Sequence, residues 1–296
     1  MIRTKVVRIR PSVNQFQALP HNNGSKLHTS ARRLGAFALA RLYSFQLDFA
    51  TLRVLAISYF YGAARFLGAR RLGNLLGQIK VSVRTNDGLS FECQIDSIST
   101  ICLISSWFRE SDLIPNADVG AVVDIGAHVG IFSLYASRRF KHSVIVAVEP
   151  NPRNYELLLR NLSLNRLENV LTVQAAIMDN DGTTSFWIRD SSLGGSAINT
   201  SNERPILVPC YRLDTLLRSL GVDSSVLMKL DVESAELTAL SGAPESLNRC
   251  PVMIIEVDKI NEDSVRNLLS SIGFSFLVLD ENSHHSNFLC RKVESM

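Results

Sequence analysis

Four short runs of this sequence set acids and glycines at the ends of apolar segments, a pattern suited to holding a nucleoside. The first is an apolar stretch that closes on Asp124 and is followed by Gly126, His128 and Gly130 before a helix-like segment. Glycine at 126 permits a tight strand-to-helix turn. Glycine at 130 lets the helix pack close to the strand with its N-terminus facing a ligand. The spacing is not GxGxxG, so no close glycine triplet is available for a pyrophosphate, and a ligand without one is favoured. His128 stands where many nucleoside-binding loops have a third glycine, so its side chain must point outward or touch the ligand.

The second run ends on Glu149. A carboxylate at a strand tip can accept hydrogen bonds from both hydroxyls of a ribose. Pro150 and Pro152 then turn the chain into the next helix, and Asn151 between them either caps that helix or faces the nucleoside. The third run ends in Asp179, Asn180, Asp181 and Gly182. Asp179 is placed to bond an adenine amino group, although the same residues also make ordinary turns. The fourth brings Lys229, Asp231, Glu233 and Glu236 to the end of a buried-looking strand. Several acids beside one lysine can hold an ammonium group, a substrate hydroxyl or a metal. Each also has a structural alternative: Lys229 and Glu233 can pair with neighbours, and Glu236 can favour the start of a helix.

These residues need a sheet whose strand ends converge. Short β-branched runs alternate with amphipathic helices from Ala121 onward, which predicts an α/β domain with a mostly parallel, Rossmann-like sheet flanked by helices. Strands are expected at Ala121 to Ile125, Val144 to Glu149, Val170 to Ile177, Val226 to Val232, Val252 to Val257 and Phe274 to Leu279. Ser286 to Cys290 is expected to close the sheet antiparallel to the others. Helices are expected at Ile131 to Arg139, Arg153 to Asn165, Leu213 to Leu220, Ala235 to Leu240 and Asp263 to Ser271. Ser191 to Arg204, rich in Gly, Ser and Asn, reads as a long loop near the substrate side.

Before the sheet, Ile79 to Ile95 reads as a hairpin with Asn86, Asp87 and Gly88 at its turn, and Ser99 to Leu113 as a helix. Three parts result: a basic tail over 1–30 with little fixed structure, a helical segment over 31–78, and the α/β domain over 79–296. Net charge is only +3 over 296 residues, yet eight basic residues from Arg3 to Arg41 precede the first acid, Asp48. The helical segment is therefore either a cap on the domain or a basic helix lying on an anionic membrane surface. An acid-poor, Arg-rich start also fits an organelle transit peptide.

The five cysteines are widely spaced with no CxxC pair, which predicts reduced thiols in a cytoplasmic-type compartment and no metal site. The uncharged run from Val54 to Ala64 is too short to cross a bilayer, which needs roughly 20 apolar residues. Basic residues do not interleave with aromatics in the sheet region, so no nucleic-acid partner is expected.

In their order, these residues resemble the FkbM family of class I methyltransferases, whose pattern runs from VDxGAxxG through EP to KxDVEGxE and a later IE. The resemblance covers roughly Ser106 to Asp258. It implies S-adenosylmethionine as cofactor, with Asp124, Gly126 and Gly130 at the donor loop and Glu149 on the ribose. It puts Asp231 near the donor's amino-acid end or the acceptor; Lys229, Glu233, Glu236 and Glu256 occupy further positions of the pattern. One departure stands out: Ser234 replaces the usual glycine, which puts the local backbone or the room for an acceptor in question. The family implies O-methylation of a hydroxyl on a sugar, glycan or polyketide-like small molecule. An alcohol is a poor nucleophile until its proton leaves, so a general base is needed, with Asp231, Glu233 and His128 as candidates. Two alternatives remain: a nicotinamide-dependent oxidoreductase, for which GxGxxG is missing, and a membrane-associated binding protein of the same fold without turnover.

Overall fold

The computed structural model of the chain describes residues 56–57, 60–64, 67–85, 88–95, 119–188, 195–196 and 205–293. The expected tail over 1–30, most of the helical segment over 31–78, the Ser99 to Leu113 helix and most of the Ser191 to Arg204 loop lie outside these residues. So do Asn86 and Asp87 of the hairpin turn and Cys102. The other four cysteines are buried free thiols.

Helix α1 (Arg70–Gly77) leads into an antiparallel hairpin of β1 (Lys80–Arg84) and β2 (Ser90–Gln94). The main sheet follows. Strand β3 (Ala121–Ile125), helix α2 (Ile131–Arg139), β4 (Val144–Val148), helix α3 (Pro152–Leu164) and β5 (Val170–Val173) wind outward in one direction. After β6 (Ala176–Ile177), β7 (Gly182–Ile188), β8 (Gly195–Ser196), β9 (Ile206–Tyr211) and helix α4 (Leu213–Ser219), the chain returns to the other side of β3 as β10 (Val226–Leu230). Short helices α5 (Glu236–Ser241) and α6 (Pro244–Asn248), strand β11 (Val252–Asp258), helix α7 (Glu262–Ser271), β12 (Phe274–Glu281) and β13 (His285–Lys292) complete it.

The seven strands lie in the order β12-β13-β11-β10-β3-β4-β5, and β13 alone runs antiparallel to its neighbours. The winding direction reverses between β3 and β10. In open α/β sheets the crevice at such a switch point, outside the carboxyl ends of the strands, is where ligands bind. Every residue of β3 and β10 is buried, as expected of parallel strands covered on both faces. Alternate residues serve opposite faces. Ala121, Val123 and Ile125 join Leu213, Leu216 and Leu240 of α4 and α5, whereas Val122 meets Phe132 and Ala136 of α2.

The hairpin is part of this body. Val81, Val83, Phe91 and Cys93 pack with Val129 of the glycine loop, Leu134 of α2 and Leu158 of α3. The fully buried Asn161 on α3 accepts from the Glu92 amide at 2.7 Å and donates to the Glu92 and Val129 carbonyls at 3.0 and 2.8 Å. One side chain thus satisfies the edge of β2 and the loop below it, as a buried edge requires.

Two expectations change. Val170 to Ile177 is not one strand: the chain leaves the main sheet after Val173, and β6 pairs instead with β9 in a second sheet ordered β6-β9-β7-β8. Periodicity reports alternation but not which partner a strand takes. Within the expected Ser191 to Arg204 loop, Gly195 and Ser196 pair with Ile188 and Trp187 of β7.

Candidate functional site

The glycine loop is shaped by contacts rather than by composition alone. Gly126 has φ +78°, and a Cβ there would lie 1.8 Å from the Asp231 carbonyl oxygen. The tips of β3 and β10 therefore touch, leaving no room for a side chain between them. His128 also adopts a left-handed backbone, with φ 54°, which explains why glycine is common at that position of such loops. At Gly130, the residue before α2, a Cβ would lie 2.4 Å from Leu158 Cδ1, so the helix starts against α3.

Glu149 follows β4 and is buried, with 5% of its surface exposed. Its Oε2 accepts from the His128 amide at 2.7 Å and its Oε1 from the Asn151 amide at 2.9 Å. The acid is thus the post on which the glycine loop and the start of α3 both hang. Burial pushes its pKa up to about 7, against the pull of the Asn151 and His128 amides. Asn151 caps α3, its Oδ1 accepting from the Arg153 amide at 3.0 Å, with Pro152 in the first turn. Of the two roles open to Asn151, the cap is the one its side chain fills.

Strand register sets Lys229 beside Asp124. Lys229 Nζ lies 3.2 Å from Asp231 Oδ2, 3.7 Å from Asp124 Oδ1 and 3.5 Å from the Gly126 carbonyl. Asp124 is wholly buried and also accepts from Ser133 Oγ at 2.6 Å. Burial raises its pKa, partly countered by Lys229. Burial alone would lower the lysine, but Asp231 and Asp124 outweigh it and hold the ammonium well above the ordinary range. Lys229 is thereby a fixed cation that staples the two central strand ends.

Beyond Asp231 the chain makes a strained turn: Glu233 and Ser234 have φ 48° and 74°. Ser234 occupies a conformation that favours glycine. The turn is held from three sides. The Ser234 amide donates to Glu236 Oε1 at 2.9 Å, Asn261 Nδ2 donates to the Ser234 carbonyl at 3.0 Å and to Glu236 Oε2 at 2.7 Å, and Ser234 Oγ donates to Asp258. Glu236 is buried, and burial raises its pKa.

The outcome of this turn is a group of acids. Carboxylate oxygens of Asp231, Glu233 and Glu256 lie within 4.8 Å of one another. Glu256 comes from β11, accepts from Asn287 Nδ2 at 3.0 Å and has His285 Nε2 at 3.6 Å. Burial, then the charge of Asp231, pushes its pKa up to about 8. Lys229 already stands against Asp231, and we assign no metal to this group.

The structure therefore brings Asp124, Gly126, His128, Gly130, Glu149, Asn151 and Asp231 to one edge of the sheet. Glu233 stands two residues on, in the turn that follows Asp231. Asp179 is in no contact with them: it is exposed on the turn after β6, and its carbonyl accepts from Arg212 at 3.0 Å. Sequence reasoning left Glu256 without a role and did not reach His285, Asn287 or Asn261. The family pattern held a signal only for Glu256, because the others arrive through β13 and the turn before α7.

The family model described as "Methyltransferase FkbM domain" matches residues 124–281. Methyltransferase sdnD of Sordaria araneosa is 31% identical over 156 residues, which cover 42% of this chain and 60% of that protein. The chain thus spans less than two thirds of the length of that relative. Hexuronic acid methyltransferase AglP of Haloferax volcanii is 25% identical over 194 residues, covering 64% of this chain and 79% of that protein. The crystal structure of Methyltransferase FkbM from Methylobacillus flagellatus KT superposes with a TM-score of 0.46 at 14% identity, over 88% of this chain and 60% of that one. No helix among the described residues is long and apolar enough to cross a membrane.

Proposed function

Since this chain belongs to the methyltransferase FkbM family, whose methyl donor is S-adenosylmethionine, we propose that it methylates a hydroxyl of a sugar, glycan or polyketide-like small molecule. The observation that carries this reading is the junction of two sites at one sheet edge: the Gly126 turn is pressed against the Asp231 carbonyl, and Asp231 belongs to the acidic group with Glu233 and Glu256. Gly126, His128, Gly130 and Glu149 would hold the donor, which when bound supplies an electrophilic methyl group. Asp124 and Lys229 keep the two strand ends together, and Asp231 stands at the border between donor and acceptor.

The sugar reading draws on the named substrate class of the Haloferax volcanii relative, and the choice of a neutral hydroxyl departs from that relative's acidic sugar because of the charge of the site. Three carboxylates repel an anionic acceptor and receive a neutral hydroxyl as hydrogen-bond donor. Positioning that oxygen in line with the methyl group supplies much of the rate enhancement. Asp179 belongs to this proposal as a contact for the adenine. Peripheral contact of the basic residues from Arg3 to Arg41 with anionic lipid at the cytoplasmic face also belongs to it, and deletion of residues 1–30 should weaken sedimentation with phosphatidylserine vesicles.

The experiment is direct. The full chain is incubated with S-adenosylmethionine and a panel of neutral and uronic glycosides, and products are weighed for the gain of one CH2. Methylation of a neutral glycoside is the expected result. Donor binding by calorimetry without any methylated product across the panel would overturn the substrate class.

A further inference from the structure

We infer that Glu256, with His285 behind it, takes the proton of the acceptor hydroxyl. This rests on the O-methylation reading above. Four groups belong to the glycine loop or to the acidic group that Asp231 joins to it. Asp231 has the Lys229 ammonium 3.2 Å from its Oδ2, so that oxygen is already engaged in an ion pair. His128 belongs to the glycine loop and lies outside the acidic group. Glu233 extends from the strained turn, whereas Glu256 projects from the regular strand β11.

The charges around Glu256 favour it further. Facing it are Asp231 and Lys229 from β10 and its end, Glu233 from the turn, and Asn287 and His285 from β13. Three carboxylates within 4.8 Å repel one another when all are ionised. That repulsion tells on Glu256: burial and the Asp231 charge raise it to about 8, against the pull of Asn287 and Lys229. A carboxylate of that basicity is better matched to a hydroxyl proton than an ordinary one, yet it is still partly ionised near neutral pH.

His285 gives the proton a way out. Its Nε2 lies 3.6 Å from Glu256 Oε2, a distance that one water bridges, and accepts from Asn282 Nδ2 at 2.8 Å, so it takes the proton when that amide turns away and frees its lone pair. A third of the imidazole surface is exposed to water. In the step itself, the acceptor O–H bond breaks and its proton passes to a Glu256 oxygen. The freed electron pair forms the O–CH3 bond while the donor's S–CH3 bond breaks with its pair left on sulfur. The proton then leaves through His285 to solvent, so the charge lost by the sulfonium is balanced.

The test pairs a carboxyl titration with turnover. Full chain carrying 13C-labelled glutamate is titrated by NMR without donor, as wild type and as Glu256→Gln. Expected is a glutamate signal with a midpoint near about 8 that the variant lacks, with S-adenosylmethionine affinity within about twofold of wild type. Methyl transfer to p-nitrophenyl β-D-glucoside should fall by about 100-fold or more. His285→Gln should move the ascending limb of the pH–rate profile, on which Glu256 loses its proton. The inference is overturned if no signal above about pH 6 disappears in Glu256→Gln, or if that variant keeps turnover within about threefold. If Glu256→Gln does not fold, Glu256→Asp replaces it, and an unmoved pH–rate limb overturns the proposal. A wild type that binds donor but methylates no glycoside refutes the sugar reading instead, and the titration still upholds or overturns Glu256 as proton holder.

Discussion

Replacing Glu149 by Gln removes a buried ionisable group from beneath the glycine loop, and the consequence depends on pH. In the folded chain burial raises this acid from 4.5 to about 7, whereas in the unfolded chain it ionises normally. Between those values the folded state binds more protons. The stability Glu149 contributes is therefore complete below about pH 4.5 and is lost as pH rises through about 7. Taken between about pH 5.5 and about pH 8.5, this amounts to roughly 2 kcal/mol, at 1.36 kcal/mol per pKa unit. The Gln variant lacks that term. Its amide instead leaves either the His128 or the Asn151 N–H without an acceptor, at a pH-independent cost of about 1–3 kcal/mol. Urea unfolding of both proteins at the two pH values isolates the effect, since all other titrations cancel in the comparison. Wild type should lose about 2 kcal/mol relative to Glu149→Gln on going to the higher pH. Calorimetry alongside tests the proposed ribose contact, in which only the carboxylate would accept from both hydroxyls: wild-type donor affinity should rise with pH, and the variant should show a weak, flat affinity. Parallel pH dependences of stability in the two proteins would refute the buried-charge argument, and equal donor affinity would remove Glu149 from the ribose.

Three further perturbations follow from the same geometry. Gly126→Ala places a methyl group 1.8 Å from the Asp231 carbonyl in a left-handed conformation, so the β3 and β10 tips must part; a loss of about 2–5 kcal/mol in chemical denaturation, with donor binding abolished, is expected. Ser234→Gly relieves a φ of 74°, worth roughly 1–2 kcal/mol, but loses the Asp258 contact and adds chain entropy. Its melting temperature should therefore change little and its turnover be kept or raised; a large loss of turnover would show that the serine hydroxyl positions the acidic turn. Asn161→Leu strands the Glu92 amide and carbonyl and the Val129 carbonyl, and should lower stability by about 3 kcal/mol, while a neutral result in urea unfolding would mean the hairpin edge finds other partners.

The sequence by itself determined the parallel sheet, the order of its strands along the chain and the glycine turn and acids at its strand tips. Those signals are local. A β-branched run ending in Asp124, a glycine turn and a strand-tip Glu149 each lie within a few residues of the feature they define. Ser234 was also legible as a departure from the family pattern, and its φ of 74° is the physical reason glycine is usual there. What the tertiary structure alone decided is whatever depends on strands meeting at a distance. The register that sets Lys229 beside Asp124 turns a lysine with several possible partners into a fixed cation. The change of sheet after Val173 pairs β6 with β9 and leaves Asp179 on the turn that follows, which alternation could not reveal. Asn161 looks like any polar helix residue until α3 lies across the edge of β2. The insertion of β13 beside β11 carries His285 and Asn287 to Glu256, and burial there turns an unassigned family acid into the candidate base. Side-chain chemistry is written in the sequence, but the basicity of a carboxylate is set by its distance from other charges and from water, and those distances exist only once the sheet has closed.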